Sequence, residues 1–377
     1  MTQRSRNRKK TGQLFRRTIK KILAIQDEIT VSQWAERYRV LDESSNLSGK
    51  WSNAVTPYLV GIMDAFNDPR IREIYLCKGS RLGGTEALIN MLGYIICEEP
   101  GPALIVYPSD DLAKAVSNDK LKPAFRLVPE IRKQFSETRS KELRLKFKFM
   151  NINITGAGSP SKLASRAIRY LFFDEIDKMG GASKKEASPY SLAMERIKTF
   201  KTQSKVYACS TPTLKTNYIW QLHDSADEVR EYFVPCPHCE AMIRLEFKHI
   251  LYDKDPEKDM SPYERAQTSS YVCPECGCEI LDRDKPRMLR KGEWRAVKKR
   301  GVGNPKTVGF RLNSLYSVFV TWADVAEEFL KSKDDPEMLQ NFVNSWLAEP
   351  WEDTKLKTTE VLWSSIFVTL VAKKYHE

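Results

Sequence analysis

The sequence predicts an α/β protein: a P-loop, doubly wound and mostly parallel sheet, carrying an inserted zinc-ribbon-like module. Three observations predict it. Short apolar segments alternate with longer helical ones over residues 46–232, a Gly-containing loop joins the first of those strands to a helix, and paired cysteines cluster beyond residue 233.

The chain of 377 residues is 41% hydrophobic, enough for a full α/β core and a small appendage. Its 61 Lys and Arg against 49 Asp and Glu leave a net +12, which favours a polyanionic partner such as nucleic acid. The N-terminus is basic without an apolar signal core, and the longest apolar run, 361–372, is short and interrupted by Ser and Thr. Neither spans a bilayer, so a cytoplasmic location and no membrane partner are expected.

Residues 1–45 read as a basic arm and helix, with Arg4, Arg6, Arg8, Lys9 and Lys10 preceding Phe15, Ile19, Ile22 and Leu23 at helical spacing. Such an arm is a solvated tail or a contact for DNA or a partner subunit. Residues 46–232 form the core, with strands expected at 73–77, 103–107, 151–155, 170–173 and 206–209 and helices after Thr85, Ser109 and Pro189. Runs such as Leu171-Phe172-Phe173 lack polar alternation, as in strands covered on both faces. Residues 233–282 are the cysteine insertion. Residues 283–353 complete the core or link onward, with a strand at 308–312 and helices at 322–333 and 336–347, the first presenting Val325, Phe329 and Leu330 on one face. Residues 354–377 are a divergent tail.

The first core strand runs into Lys78-Gly79-Ser80-Arg81-Leu82-Gly83-Gly84-Thr85-Glu86 and then an apolar helix. Free backbone N–H groups and a helix dipole converge there on an anion. Against the common G-x-x-x-x-G-K-[ST] pattern, Thr85 takes the Mg2+-binding hydroxyl position and Gly83 the final glycine. Gly84 stands where the lysine belongs, and Lys78 where the first glycine belongs. The cation has moved to the start of the loop, with Arg81 as a second positive group; the bland alternative is a simple turn.

The strand Tyr170-Leu171-Phe172-Phe173-Asp174-Glu175 ends in adjacent carboxylates, 89 residues after Thr85. Phosphoryl transfer to water needs one acidic group at Mg2+ and another to orient or deprotonate the water. Asp174 fits the first role, with Thr85, and Glu175 the second. The strand ending Cys209-Ser210-Thr211-Pro212 would place Ser210 and Thr211 at the ligand crevice, to sense the γ-phosphate. Alone, the first strand end is more often a solvated edge, a reading that its spacing from Thr85 and the matching loop reverse, and the second is as readily a strand before an ordinary Pro turn.

Cys236-Pro-His-Cys239 and Cys273-Pro-Glu-Cys276-Gly-Cys278, separated by 33 residues, form two knuckles suited to one structural Zn2+. Cys236, Cys239, Cys273 and Cys276 are the expected ligands, with His238 and Cys278 outside the set. Cys77, Cys97 and Cys209 read as buried thiols.

The stretches Lys78 to Glu86, Gly156 to Arg166, Tyr170 to Asp177 and Ala208 to Thr213, extended by Gln33 to Leu41, Thr56-Pro57-Tyr58, Val308 to Tyr316 and Asn341 to Trp351, resemble the lambda-type (GpA-like) large subunit of phage terminase across residues 30–353. The relocated lysine is a trait of that family. The resemblance implies an ASCE-type ATPase, using ATP and Mg2+, that drives double-stranded DNA into a prohead. Its implied partners are a terminase small subunit, the portal and further copies of itself in a ring, within the host cytoplasm. It further implies Arg166 as an arginine finger toward a neighbouring subunit and Tyr58 as a stacking surface for adenine. The likeness ends near Asp353, with 24 residues remaining, so the family's nuclease part is expected to be missing. Rival readings are another P-loop translocase or helicase, and an inactive prophage remnant that binds DNA or protein.

Overall fold

The computed structural model describes residues 29–42, 47–163, 166–181, 187–255 and 257–352. The basic segment 1–28 and the tail beyond 352 lie outside the described residues. Ten strands form the central sheet: β1 (Glu73–Lys78), β2 (Ala103–Tyr107), β3 (Arg144–Lys146), β4 (Asn151–Gly156), β5 (Tyr170–Asp174), β6 (Lys205–Ser210), β7 (Glu228–Pro235), β8 (Met242–Ile243), β9 (Glu293–Lys299) and β10 (Thr307–Leu312). Their order is β8-β7-β10-β1-β6-β5-β2-β4-β3, and β9 pairs with β7. From β7 to β4 every neighbour is parallel, while β3, β8 and β9 pair antiparallel at the margins. The sheet is therefore mixed, with a parallel centre.

Alternation along the central strands feeds two apolar clusters, one on each face. Ile74, Leu76, Ile105, Phe172 and Tyr207 join the larger one with α1 (Val31–Tyr38), α2 (Tyr58–Ala65) and α3 (Gly84–Cys97). Tyr75, Val106, Leu171, Phe173, Val206 and Ala208 join the other, with Ala193 and Ile197 of α5 (Pro189–Ile197) and Ile219 of α6 (Tyr218–Ser225). Between α3 and α5 along the sequence lies α4 (Asp110–Val116). Two covered faces explain the unbroken apolar runs.

Helix starts follow local chemistry. Thr30 and Gln33 make a capping box for α1, Ser109 caps α4, and Ser188 caps α5 ahead of Pro189. Thr321 and Asp324 box α7 (Trp322–Ser332), and Asp335 precedes Pro336 at the start of α8 (Pro336–Ser345). On α7, Val325 is fully buried and Phe329 and Leu330 pack partly buried against the core.

The expected core strands are all present, each extended by one residue at one or both ends or matched outright. Sequence reading did not find β3, β7, β8 or β9. β9, Glu-Trp-Arg-Ala-Val-Lys-Lys, is mostly exposed and has no apolar face to announce it. β7 crosses residue 232, so the cysteine segment grows directly from a strand of the central sheet. β10 lies between β7 and β1, making the segment after the cysteines part of the sheet itself. No helix among the described residues is long and apolar enough to cross a membrane.

Gly93 marks the tightest contact between α1 and α3: a Cβ there would sit 2.0 Å from the Trp34 ring, which is fully buried. Gly93→Ala gains about 1 kcal/mol of helix propensity, but overpacking against a ring that cannot swing into solvent costs ~1–3 kcal/mol. The packing effect wins, so thermal unfolding should show a lower midpoint for the variant; a raised midpoint would show that α1 has room to shift.

Candidate functional site

β1, β6 and β5 are neighbours, so their C-terminal ends at Lys78, Ser210 and Asp174 open onto one crevice of the sheet. The loop after β1 turns into α3 at Gly83, whose φ of +77° is left-handed, and a Cβ there would also meet Leu59 Cδ1 at 2.8 Å. Gly84 is glycine for another reason. A Cβ at 84 would sit 2.6 Å from Lys78 Cε and 2.9 Å from Lys78 Cδ. The Lys78 stem thus runs through the space that a side chain at 84 would fill. A lysine at the loop's start and a glycine at its end are one adaptation.

Lys78 Nζ lies 3.0 Å from Glu175 Oε1, with the lysine side chain only 7% exposed, and Lys178 Nζ lies 3.1 Å from Glu175 Oε2. Burial alone would push the Glu175 carboxyl up, but Lys78 and Lys178 outweigh it and hold the carboxyl below its ordinary value. Burial likewise opposes the Lys78 charge, and Glu175, Cys209 and Asp174 overcome it, so its pKa rises. Asp174 is different: Thr85 Oγ1 donates to its Oδ2 at 2.9 Å and Cys209 Sγ donates to its Oδ1 at 3.2 Å, yet burial prevails and pushes its pKa up. Glu175 itself has φ +57°, a left-handed conformation for a non-glycine residue, set where strand β5 ends.

Lys78, Thr85, Glu175 and Lys178 border a cavity of about 890 Å³, while Asp174, 4% exposed, and Cys209 are not part of its lining. Lys78, Ser80, Arg81, Leu82, Gly83, Gly84, Thr85 and Glu86 supply one wall, with Glu175 and Thr211 opposite. Trp51, Val55 and Leu41 line its apolar part, and Lys120 and Asn344 reach it from distant segments. Neither the tryptophan nor these two polar residues carried a motif that a single sequence would reveal.

The loop is fastened from behind. Gly79 N–H donates to Leu312 O at 2.8 Å, Ser80 N–H donates to Ser345 O at 2.7 Å, and Ser314 N–H donates to Trp346 O at 2.7 Å. A Cβ at Gly79 would lie 2.8 Å from Ser314 Oγ. At the loop's other end, Arg39, 4% exposed, pairs with Glu86 at 2.9 Å. Asp177, three residues beyond Asp174, accepts from Thr213 N–H at 3.0 Å, Thr213 Oγ1 at 3.1 Å and Ile219 N–H at 2.6 Å, tying the backbone after β6 to the end of β5.

Five expected site residues are placed elsewhere than the cavity wall: Asp174 and Gly79, which sit beside it at the strand and loop ends, and Tyr58, Ser210 and Arg166. Tyr58 is fully buried, its ring edge-on to Tyr232 with centroids 6.3 Å apart, and it does not face the cavity. Adenine stacking on Tyr58 is therefore corrected: α2 turns that ring into the core, while Thr56 and Leu59 on either side of it line the cavity. Ser210 is also fully buried, donating to Thr211 O at 2.8 Å and accepting from Asp177 N–H at 3.3 Å, so Thr211 alone of that pair meets the cavity. Arg166 is exposed on the far side of β4, with Nη1 3.5 Å from Asn153 Oδ1, away from this protein's own cavity.

The cysteine segment forms a second centre. The sulfurs of Cys236, Cys239, Cys273 and Cys276 all lie within 4.8 Å of one another, with Cys236 to Cys276 and Cys239 to Cys273 both 3.9 Å apart. Tetrahedral ligation at about 2.3 Å requires S···S separations of about 3.8 Å. Glu240 and Gly277, the residues that turn each knuckle away, have φ of +61° and +72°. His238 Nε2 is 3.0 Å from Glu279 O, and neither it nor Cys278 joins the four-sulfur set.

The family described as phage terminase large subunit gpA, ATPase domain, matches residues 45–294, and the terminase large subunit gpA endonuclease domain matches residues 307–364. The terminase large subunit of Enterobacteria phage P21 is 28% identical over 356 residues, covering 88% of this chain and 54% of that protein. The terminase large subunit of Escherichia phage lambda is 25% identical over 346 residues, covering 86% and 53%. The chain thus spans about half the length of the curated relatives it matches. The large terminase ATPase domain of Thermus phage P74-26 aligns over 78% of this chain and 96% of its own, with 13% identity and a TM-score of 0.44. The endonuclease match leaves the expected loss of the nuclease part without support, and it starts at Thr307, the first residue of β10. The ATPase match encloses the loop, both carboxylates and all four clustered cysteines, and on that basis this chain belongs to the phage terminase large subunit gpA family.

Proposed function

We propose that this protein is the ATP-hydrolysing motor portion of a DNA-packaging terminase, acting on double-stranded viral DNA. The observation that carries the reading is the pair of cross-links between loop and strand end, Lys78 to Glu175 and Thr85 to Asp174, on a cavity large enough for a nucleotide. Backbone N–H groups at the start of α3 would receive phosphates, with Lys78 and Arg81 supplying positive charge. Thr85 and Asp174 fit an Mg2+ ion, because a hydroxyl and a carboxylate already meet at 2.9 Å. The ion would neutralise charge developing on the phosphoryl oxygens. Glu175, kept ionised by its two lysines, would orient and deprotonate the attacking water. Thr211 would read the γ-phosphate from the cavity wall and pass its loss along the segment that Asp177 holds.

Arg166, exposed and away from its own cavity, suits a finger for a neighbouring copy in a ring. The small subunit, portal and prohead are the partners this role needs, within the host cytoplasm. We further infer that residues 46–232 and 283–353 make up the motor core, and that 233–282 is a zinc-ribbon-like module closed by four thiolates, a structural rather than a catalytic site.

Glu175→Gln should bind ATP as the wild type does and lose turnover by about 100-fold or more, the usual cost of removing a general base. Lys78→Ala should instead weaken ATP binding by roughly 10–100-fold, matching about 1.5–3 kcal/mol for a charged hydrogen bond. Equilibrium nucleotide binding and steady-state phosphate release separate the two, and wild-type turnover in the Gln variant would remove Glu175 from the mechanism. Elemental analysis of purified protein should find about one zinc per chain, falling in Cys239→Ser together with the thermal midpoint. A folded wild-type protein free of metal would refute the zinc site.

A further inference from the structure

The edge of the sheet furthest from the cysteine module carries charge that the nucleotide site does not use. Residues 120–150 contain ten Lys or Arg and three Glu, a net +7 in a protein of net +12. The fold gathers them on a small unit made of helices Lys122–Leu127 and Pro129–Arg132 and the β3/β4 hairpin. Phe125, Phe135 and Phe147 form its core, with ring centroids 5.2–6.3 Å apart. Leu145 is fully buried, so Arg144 and Lys146 on either side of it point to the opposite face of the strand. The backbone before β3 runs back alongside it: Ser136 N–H donates to Lys146 O and Lys148 N–H donates to Gln134 O, both at 2.9 Å. Lys133, Lys146 and Lys148 thereby come from separate turns to one locality.

Arg132, Lys133, Arg139, Lys141 and Lys148 are exposed and make no ion pair among the described residues. Glu137 is already taken by Arg126 at 2.6 Å. Phe149, 66% exposed, stands at the hairpin tip with the Lys148 ammonium 5.0 Å from its ring centroid. Like charges held together on a rigid frame repel one another unless a polyanion neutralises them. A single exposed ring is too little to stack a run of unpaired bases, whereas lysines and arginines suit the phosphates of a duplex. The unit also reaches the nucleotide cavity, since Lys120, on the π-helical turn Ser117–Leu121, sits on the cavity wall.

We propose that this edge, Arg132 to Phe149, is the surface that grips the phosphate backbone of duplex DNA, and that Lys120 joins it to the nucleotide site. The proposal rests on reading the protein as a DNA-translocating ATPase. The test measures binding of the 377-residue protein to a fluorescent 30-base-pair duplex across a salt series. Lys133→Ala/Lys141→Ala/Lys148→Ala should bind about 10-fold or more weakly at moderate salt, with the slope of log affinity against log salt shallower by about 2–3, as expected for three lost phosphate contacts. Arg283→Ala/Arg290→Ala/Lys291→Ala, with the same charge removed beside the cysteine module, should keep wild-type affinity and slope. Matching thermal midpoints certify that both variants fold. Equal weakening in both triples, or wild-type duplex binding in the first, would overturn the proposal, as would a loss seen only with single-stranded DNA. ATP turnover of the wild type separates the two claims: a protein without turnover defeats the motor reading, and an active one whose first triple variant grips DNA normally defeats only this inference.

Discussion

The site depends on one stretch of space, the path of the Lys78 side chain across Gly84 to Glu175. Lys78 is the last residue of a strand at the middle of the sheet, paired with Leu312 of β10, and Cys77 just before it is paired with Ser210 of β6, so its backbone is fixed. Its stem crosses the start of α3 to reach the end of β5, and a side chain at 84 would force that stem aside. Once there, the ammonium and the Glu175 carboxylate offset each other's burial, which neither could bear alone. The split between an ionised Glu175 and a less acidic Asp174 follows from the same placement: Asp174 is the more deeply buried and feels Lys78 only through space, with hydroxyl and thiol donors on its oxygens, whereas Glu175 pairs directly with both Lys78 and Lys178.

Around this path the segment that follows the cysteine module acts as a backing plate. β10 pairs with β1 along its whole length, and the carbonyl of Ser345 at the end of α8 takes the Ser80 N–H. Residues matched by the endonuclease family therefore help to hold the loop that follows β1. Any movement of α8 would be felt at Ser80, and any rearrangement of the loop would be felt at α8. The family boundary at Thr307 divides the sequence where the sheet does not divide the structure.

Much of this is legible in the sequence because its signals are local. The apolar runs at Leu171-Phe172-Phe173 and the caps at Ser109 and Ser188 mark elements by their own residues, and the loop and carboxylate pair are motifs of fixed spacing. What escapes a sequence reading depends on burial and strand order. Tyr58 sits one residue from the cavity lining but faces the core, since the direction of a helix face is a tertiary property. Ser210 points inward and Thr211 outward for the same reason, strand alternation being readable only once the face of β6 is known. Cys209, by sequence a simple buried thiol, also holds Asp174, a contact between strands whose adjacency one sequence does not disclose. β9 escapes because an exposed, charged edge strand has no periodic apolar face.

If Lys78 and a residue at 84 compete for one volume, moving the lysine should be possible only when its old place is vacated. The direct measurement is ATP turnover of Gly84→Lys, Lys78→Gly and the two combined. At limiting ATP each single variant should turn over far more slowly than the wild type, the first because two side chains collide and the second because ATP binding has lost its cation, and the combined variant should recover activity well above both. A Gly84→Lys protein as active as the wild type would contradict the account, because the space that Lys78 is held to occupy would then have been free.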